Sequence, residues 1–303
     1  MALSKNTKGA LLMALSMAGF TFNDALSKVV TPLMNVGQLM FVRGAITTVL
    51  VFLVARHMGA LGHIRMLTQP TVLLRMLFET LAAVTFLSAL GQMPLANVSS
   101  ILQSLPLAVT LGAALFLGEP VGWRRWTAIG VGFLGVLIII RPGPEGFTLA
   151  SLYVLMSVVF AAARDLVTKK IDSGISSLAI TLSTAAGITV AGAALIVPFG
   201  GWQPMSGSTW GIMLIASCLI FIGYLAIIMA MRTGEISFIA PFRYTSLLWA
   251  VTLGMVFFGE VPDIWMAVGT VIVIGSGLYA FYRENKRRAE MARHEAALSK
   301  TTM

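Results

Sequence analysis

Charge is scarce in this chain. Asp, Glu, Lys and Arg make up 11% of its 303 residues, while 57% are hydrophobic. Soluble domains carry about 25% charged residues, so the composition argues against a soluble globular protein. Cysteine is rarer still. Cys218 stands alone inside an apolar run, which excludes an intrachain disulfide and a thiolate metal cluster. The histidines His57, His63 and His294 fall in loops and tail, and no H-E-x-x-H occurs. No G-x-x-x-x-G-K-[ST] occurs either, so the chain has no ATP motor of its own. No cofactor or metal is expected. Acids are outnumbered, 12 against 21 basic residues, for a net charge of +9. That balance can mark a nucleic-acid binder, but here the basic residues sit in short clusters between apolar runs. The positive-inside rule produces that pattern in membrane proteins, and nucleic acid is not expected as a partner.

What the chain has is apolar runs. A spanning helix needs about 20 mostly apolar residues. Ten such segments are expected: 9–30, 36–56, 71–92, 95–117, 125–141, 148–170, 177–198, 209–231, 236–258 and 262–282. Turn signals separate several of them, among them "RPGPEG" at 141–146, "FGGWQPMSGS" at 199–208 and "GEVPD" at 259–263. Lys5 and Lys8 before the first run imitate a signal peptide. No small-x-small cleavage site follows, so that run is read as an uncleaved first span. Residues 283–303 form a polar tail, expected as a frayed cytoplasmic helix. One side of the membrane collects Lys5, Lys8, Arg56, Arg65, Arg75, Arg124, Arg125, Lys169, Lys170, Arg232 and the six basic residues of the tail. The other collects only Lys28 and Arg141. Both termini are therefore expected in the cytoplasm.

The chain also repeats itself at an offset of 141 residues. Asp24 falls on Asp165 and Lys28 on Lys169. Phe116, Gly118 and Glu119 fall on Phe257, Gly259 and Glu260, and Gln103–Ser104 on Tyr244–Thr245. Each half, 9–141 and 148–282, holds five segments. An odd number places the halves in opposite orientations. The expected fold class is thus an all-α integral membrane protein of ten transmembrane helices, built as two inverted five-helix repeats. Inverted repeats are a signature of secondary transporters, with the substrate site near the midplane between halves.

The "LGEP" and "FGEV" turns and "GVGFLGVLIIIRPG" in the fifth segment, together with the two five-helix halves, resemble the drug/metabolite transporter (DMT) superfamily, specifically its EamA family. "RTGEISFIAPFRYTSLLWA" at 232–250 is similar to a bacterial, riboflavin-transporter-like subgroup. The resemblance covers roughly 9–283. It implies a central cavity lined by segments 1, 3, 4, 6, 8 and 9, with 5 and 10 peripheral.

Two motifs mislead. "GVGFLG" at 130–135 matches G-x-G-x-x-G, yet a dinucleotide site needs a strand before it and a helix starting within it. Here the glycines lie inside one apolar run and are expected to let helix backbones approach. "NVS" at 97–99 matches a glycosylation sequon but is expected to open segment 4. Glu119 and Glu260 are read as acids compensating the positive ends of the helices that follow them.

The buried charges point to the site. At about 1.5 Å per residue, Asp24 and Arg43 both lie about 9–10 Å below the outer surface, where an ion pair is expected, with Asn23 and Lys28 nearby. Glu79, Arg164, Asp165 and Arg243 share a layer about 7–12 Å from the inner surface. There two acids are expected to neutralise two bases, and Arg75 to bridge Glu79 at i,i+4 spacing. Gln103, Ser104, Tyr224, Tyr244 and Trp249 are the candidate lining between the layers. Pro106 and Pro241 interrupt their helices, a frequent device at transport sites. These side chains are read either as static pairs or as gates for a substrate.

A cavity of Tyr, Trp, hydroxyl and amide groups suits a small polar molecule with a planar part. Riboflavin uptake is the first substrate reading, resting partly on the subgroup that the chain resembles. Export of amino acids or drug-like metabolites is the second, and S-adenosylmethionine transport the third. A membrane-embedded enzyme would need clustered catalytic acids, a metal set or a nucleophile pair, and the sequence offers none. A channel would need carbonyl or charge rings, usually from an oligomer. The expected partners are the small-molecule substrate and the bilayer; a homodimer is compatible with this reading.

Overall fold

A computed structural model describes residues 4–59, 68–141, 148–172, 174–233 and 236–301. Arg65, His63 and most of the "RPGPEG" turn lie outside them, as do the side chains of Arg232, Arg288, Arg293, His294 and Lys300. The first half comprises α1 (Lys5–Val30), α2 (Val36–His57), α3 (Pro70–Leu90), α4 (Leu95–Leu102), α5 (Leu105–Phe116) and α6 (Trp123–Ile140). The second comprises α7 (Leu149–Thr168), α8 (Ser177–Ile196), α9 (Gly207–Thr233), α10 (Ile236–Ile239), a 3-10 turn (Ala240–Tyr244), α11 (Thr245–Phe258) and α12 (Ile264–Thr301).

Nine helical stretches among the described residues are long and apolar enough to cross a membrane, counting α4 and α5 as one. The difference from the expected ten falls at 236–258, which is not a single helix. Pro241 lacks the N–H that an α-helix needs and sits in the 3-10 turn, leaving α11 with 14 residues. The fourth segment breaks at the repeat-related place, between Leu102 and Leu105, where Pro106 frees a carbonyl and Ser104 Oγ donates to the Ile101 carbonyl at 2.6 Å. The side-chain amide of Gln103 then donates to Ser246 Oγ at 2.7 Å, tying one break to the other.

The helix ends repeat as well. Asn35 and Ser176, one offset apart, cap α2 and α8 by accepting the N–H of Gln38 and Leu178. Gly118 and Gly259 both turn left-handed, at φ 65° and 63°. The N–H of Glu119 then reaches the Ala113 carbonyl at 3.2 Å, and that of Glu260 the Gly254 carbonyl at 3.0 Å. That closure needs a residue free of the Cβ penalty, which explains the glycine in both "GE" turns.

Packing runs between the halves. The dominant helix pairs are α1 with α9, α3 with α7, α2 with α8, and α6 with α12. Exchanging the repeats turns the first pair into the second and returns each of the others to itself. The "GVGFLG" glycines serve the last pair. A Cβ on Gly135 stands 2.9 Å from the Gly269 carbonyl oxygen, and one on Gly269 stands 2.6 Å from that of Gly135. No strand precedes this run, so the structure gives it no nucleotide fingerprint.

Candidate functional site: a cavity between the repeats

A cavity of about 410 Å³ lies between the halves, at the low end of the size of small-molecule sites. Its wall takes Phe20 from α1, Arg43 and Thr47 from α2, and Arg75 and Glu79 from α3. The second half adds Arg164 and Asp165 from α7, Thr184 from α8, Tyr224 from α9, and Arg243 from the 3-10 turn. The cavity reaches Thr168 at the end of α7 and Ser177 at the start of α8, on the side where α1 begins.

Of the twelve residues expected at the site, six line this cavity: Arg43, Glu79, Arg164, Asp165, Tyr224 and Arg243. The other six lie behind its wall. Asn23 is buried against Arg43, and Asp24 lies beside it. Gln103 and Ser104 hold the helix break already described. The Tyr244 hydroxyl points at Gly277 of α12. Trp249 packs against Phe22 with ring centroids 5.8 Å apart, away from the cavity.

The charges pair differently from expectation. Arg43 makes no direct ion pair with Asp24. Its guanidinium donates to Ser27 Oγ at 3.2 Å and to Asn23 Oδ1 at 3.5 Å, and Asn23 in turn donates to Asp24 at 2.9 Å. An amide thus stands between the two charges. Arg75 does not bridge Glu79 either; it donates to the hydroxyls of Thr168, at 3.0 Å, and Thr184. Glu79 pairs with Arg164 at 2.7 Å, and the same guanidinium holds Asp165 at 2.7 Å. One arginine therefore serves both acids. Arg243, expected to complete two neutral pairs, makes no hydrogen bond or ion pair among the described residues.

The opposite end is sealed. Buried Leu39, Met40, Leu87, Leu90, Leu95 and Leu253 pack as an apolar plug. Above it Lys28 forms an ion pair with Glu260, lies 5.0 Å from the Phe258 ring centroid and donates to the Met93 carbonyl at 2.5 Å. Glu260 also accepts the Leu95 N–H at 2.7 Å. Gln38 closes the neighbouring rim, exchanging two 2.8 Å hydrogen bonds with the backbone of Gln203. At the open end Lys169 meets Glu119 at 3.0 Å. The offset maps Lys28 onto Lys169 and Glu119 onto Glu260, so these two ion pairs are one cross-repeat contact made twice. They differ in exposure: 12% and 17% for Lys28 and Glu260, 46% and 45% for Lys169 and Glu119. The acids read as helix-end compensation are thus the partners of the repeated lysines. Every acid and base here was visible in sequence, Arg75 included, but Thr47 gave no signal beyond sharing a helix with Arg43, and Thr184 gave none, since α8 carries no charge.

A chain of apolar spanning helices, folded as two inverted repeats around a charged cavity, is a multi-pass membrane protein of the drug/metabolite transporter type. The family comparison is specific: residues 7–141 and 148–282 each match the EamA-like transporter family, and the chain belongs to that family. It is 31% identical over 217 residues to a riboflavin transporter of Vibrio cholerae, covering 71% of this chain and 72% of that one. It is 26% identical over 280 residues to the pseudopaline exporter CntI of Pseudomonas aeruginosa, covering 90% and 96%. A solved crystal structure, 16% identical, superposes with a TM-score of 0.64 over 94% of this chain and 99% of the other, and so shares the fold.

Proposed function

We propose that this chain is a secondary transporter that moves a small polar organic metabolite across the bacterial inner membrane by alternating access. Both termini lie in the cytoplasm, as the distribution of Lys and Arg favours, and the cavity of this conformation opens inward. The observation that carries the reading is the doubled Lys–Glu contact. It is largely withdrawn from solvent at the sealed end and exposed at the open end. If the inverted halves exchange conformations, Lys169–Glu119 becomes the buried seal and Lys28–Glu260 the exposed one. A continuous pore does not fit the plug of leucines and methionines above Arg43.

The relatives' names differ, one a riboflavin transporter and one an exporter of pseudopaline. They support a small metabolite and do not choose among riboflavin uptake, export of an amino-acid-like or drug-like metabolite, and S-adenosylmethionine transport. The test is counterflow in proteoliposomes, run with flavins, amino acids and S-adenosylmethionine. A carrier accumulates labelled substrate transiently when loaded with unlabelled substrate. Flux that is never accelerated by internal substrate would point to a channel and sink the proposal.

A further inference from the structure

We propose that the group recognised in the cavity is an acid, a carboxylate or phosphate carried by the metabolite and received by Arg243. This rests on the transport reading above. The wall carries Arg43, Arg75, Arg164 and Arg243 against Glu79 and Asp165. Adding Asp24, which faces Arg43 through Asn23, leaves one guanidinium in excess. The hydrogen bonds single out which one. Arg164 is held by two carboxylates, Arg75 by two threonines, and Arg43 by Asn23 and Ser27. Arg243 alone of the four has no hydrogen-bond partner among the described residues, and its exposed side chain lines the cavity. A guanidinium open to the cavity with no acceptor of its own can receive one, and its planar fork matches a carboxylate or phosphate.

Two more groups on the wall lack partners, and both can donate. Thr47 Oγ1 is buried without a hydrogen bond, one helical turn beyond Arg43. The Tyr224 hydroxyl makes none among the described residues. The Tyr224 ring stands edge-on to Phe20 at 5.3 Å, giving the rest of the molecule an apolar surface. Donors and excess positive charge on one side, with an aromatic pair beside them, fit an organic acid with an apolar or planar body.

The test uses the full chain in detergent and matched ligands: flavin mononucleotide with riboflavin, glutamate with glutamine, phenylalanine with its amide. Thermal-shift titration gives the apparent Kd. The acid of at least one pair is expected to stabilise the protein where its neutral partner does not. Arg243→Gln should weaken that binding about ten- to a hundredfold, and Arg243→Lys should retain part of it. Thr47→Val, which changes no charge, should weaken it about fivefold. Exposed Arg124→Gln should leave it unchanged. The assignment is overturned if no acid shifts the melting temperature, if neutral partners bind as well, or if Arg243→Gln and Thr47→Val bind like the parent. Counterflow with the responding acid separates the two claims. Arg243-dependent binding without counterflow would refute transport and leave the acid site standing. Counterflow of a neutral molecule, indifferent to Arg243, would do the reverse.

Discussion

On the proposed orientation, replacing Glu260 with Gln removes the charge that seals the outer end while keeping an acceptor for the Leu95 N–H. Lys28 is then left with the Met93 carbonyl and the Phe258 face. Removing one partner of a fully buried pair costs about 3–5 kcal/mol. This pair keeps 12% and 17% of its side-chain surface exposed and sits at a rim, so about 2 kcal/mol is the reasonable share. That moves the balance between sealed and open outer ends about thirtyfold. The assay is thiol accessibility. Cys218 is the only native cysteine, so a Cys218→Ser background with Ala25→Cys reports on the plug, where Ala25 is buried. A membrane-impermeant maleimide added outside should label Ala25→Cys up to about thirtyfold faster after Glu260→Gln. The exchanged pair, Lys28→Glu with Glu260→Lys, should restore slow labelling only in part, because it forfeits the Met93 and Leu95 backbone contacts. Glu119→Gln, at the other end, should not accelerate it. A labelling rate unchanged by Glu260→Gln in a protein of parental melting temperature would refute the gate.

Other perturbations probe the frame. Arg164→Leu strands both Glu79 and Asp165 and should destabilise the fold by about 3–5 kcal/mol, read as a lower melting temperature in detergent; adding Glu79→Leu should recover part of it. Gly269→Ala drives a Cβ into the backbone of α6 and should cost about 1–3 kcal/mol. Gly130→Ala in the same "GVGFLG" run faces open space and should be neutral or slightly stabilising; equal effects in thermal unfolding would refute the packing account. Asp263 precedes α12, outside the span. Burial pushes its carboxyl up, but the Met266 N–H at 2.8 Å and the Arg141 guanidinium outweigh this and hold it below the usual carboxylate range. Its stabilising contribution is therefore present above the unfolded pKa of about 4 and is lost as pH falls through the folded one. The gap in melting temperature between parent and Asp263→Asn should narrow toward pH 3, and a constant gap would refute this.

The repeat was legible because inversion preserves sequence order: Asp24 on Asp165, Lys28 on Lys169 and Gly118 on Gly259 need no third dimension. Pairing was less so. Depth along a helix is one coordinate, and it set Arg43 level with Asp24 without showing that Asn23 lies between them. The spacing of Arg75 and Glu79 allowed a bridge, but Glu79 finds Arg164 on α7 and Arg75 finds two threonines. Lys28 with Glu260 was hidden for a different reason. The offset matches lysine with lysine and glutamate with glutamate, while the contacts run crosswise. Trp249 was placed in the cavity from its depth along the ninth segment, which does not say which way a side chain faces once the 3-10 turn at Pro241 has intervened.

Because the main helix contacts cross from one half to the other, order of synthesis matters. α1 finds its chief neighbour α9 only after roughly 200 further residues, about 10–40 s at common translation rates. Glu79 waits 85 residues for Arg164 and Lys28 waits 232 for Glu260, so a half-made protein holds naked charges in or beside the lipid. The first five passes are therefore expected to need shelter until their counterparts arrive. A stop codon in the middle of the gene should leave a product cleared by membrane proteases, not a stable half.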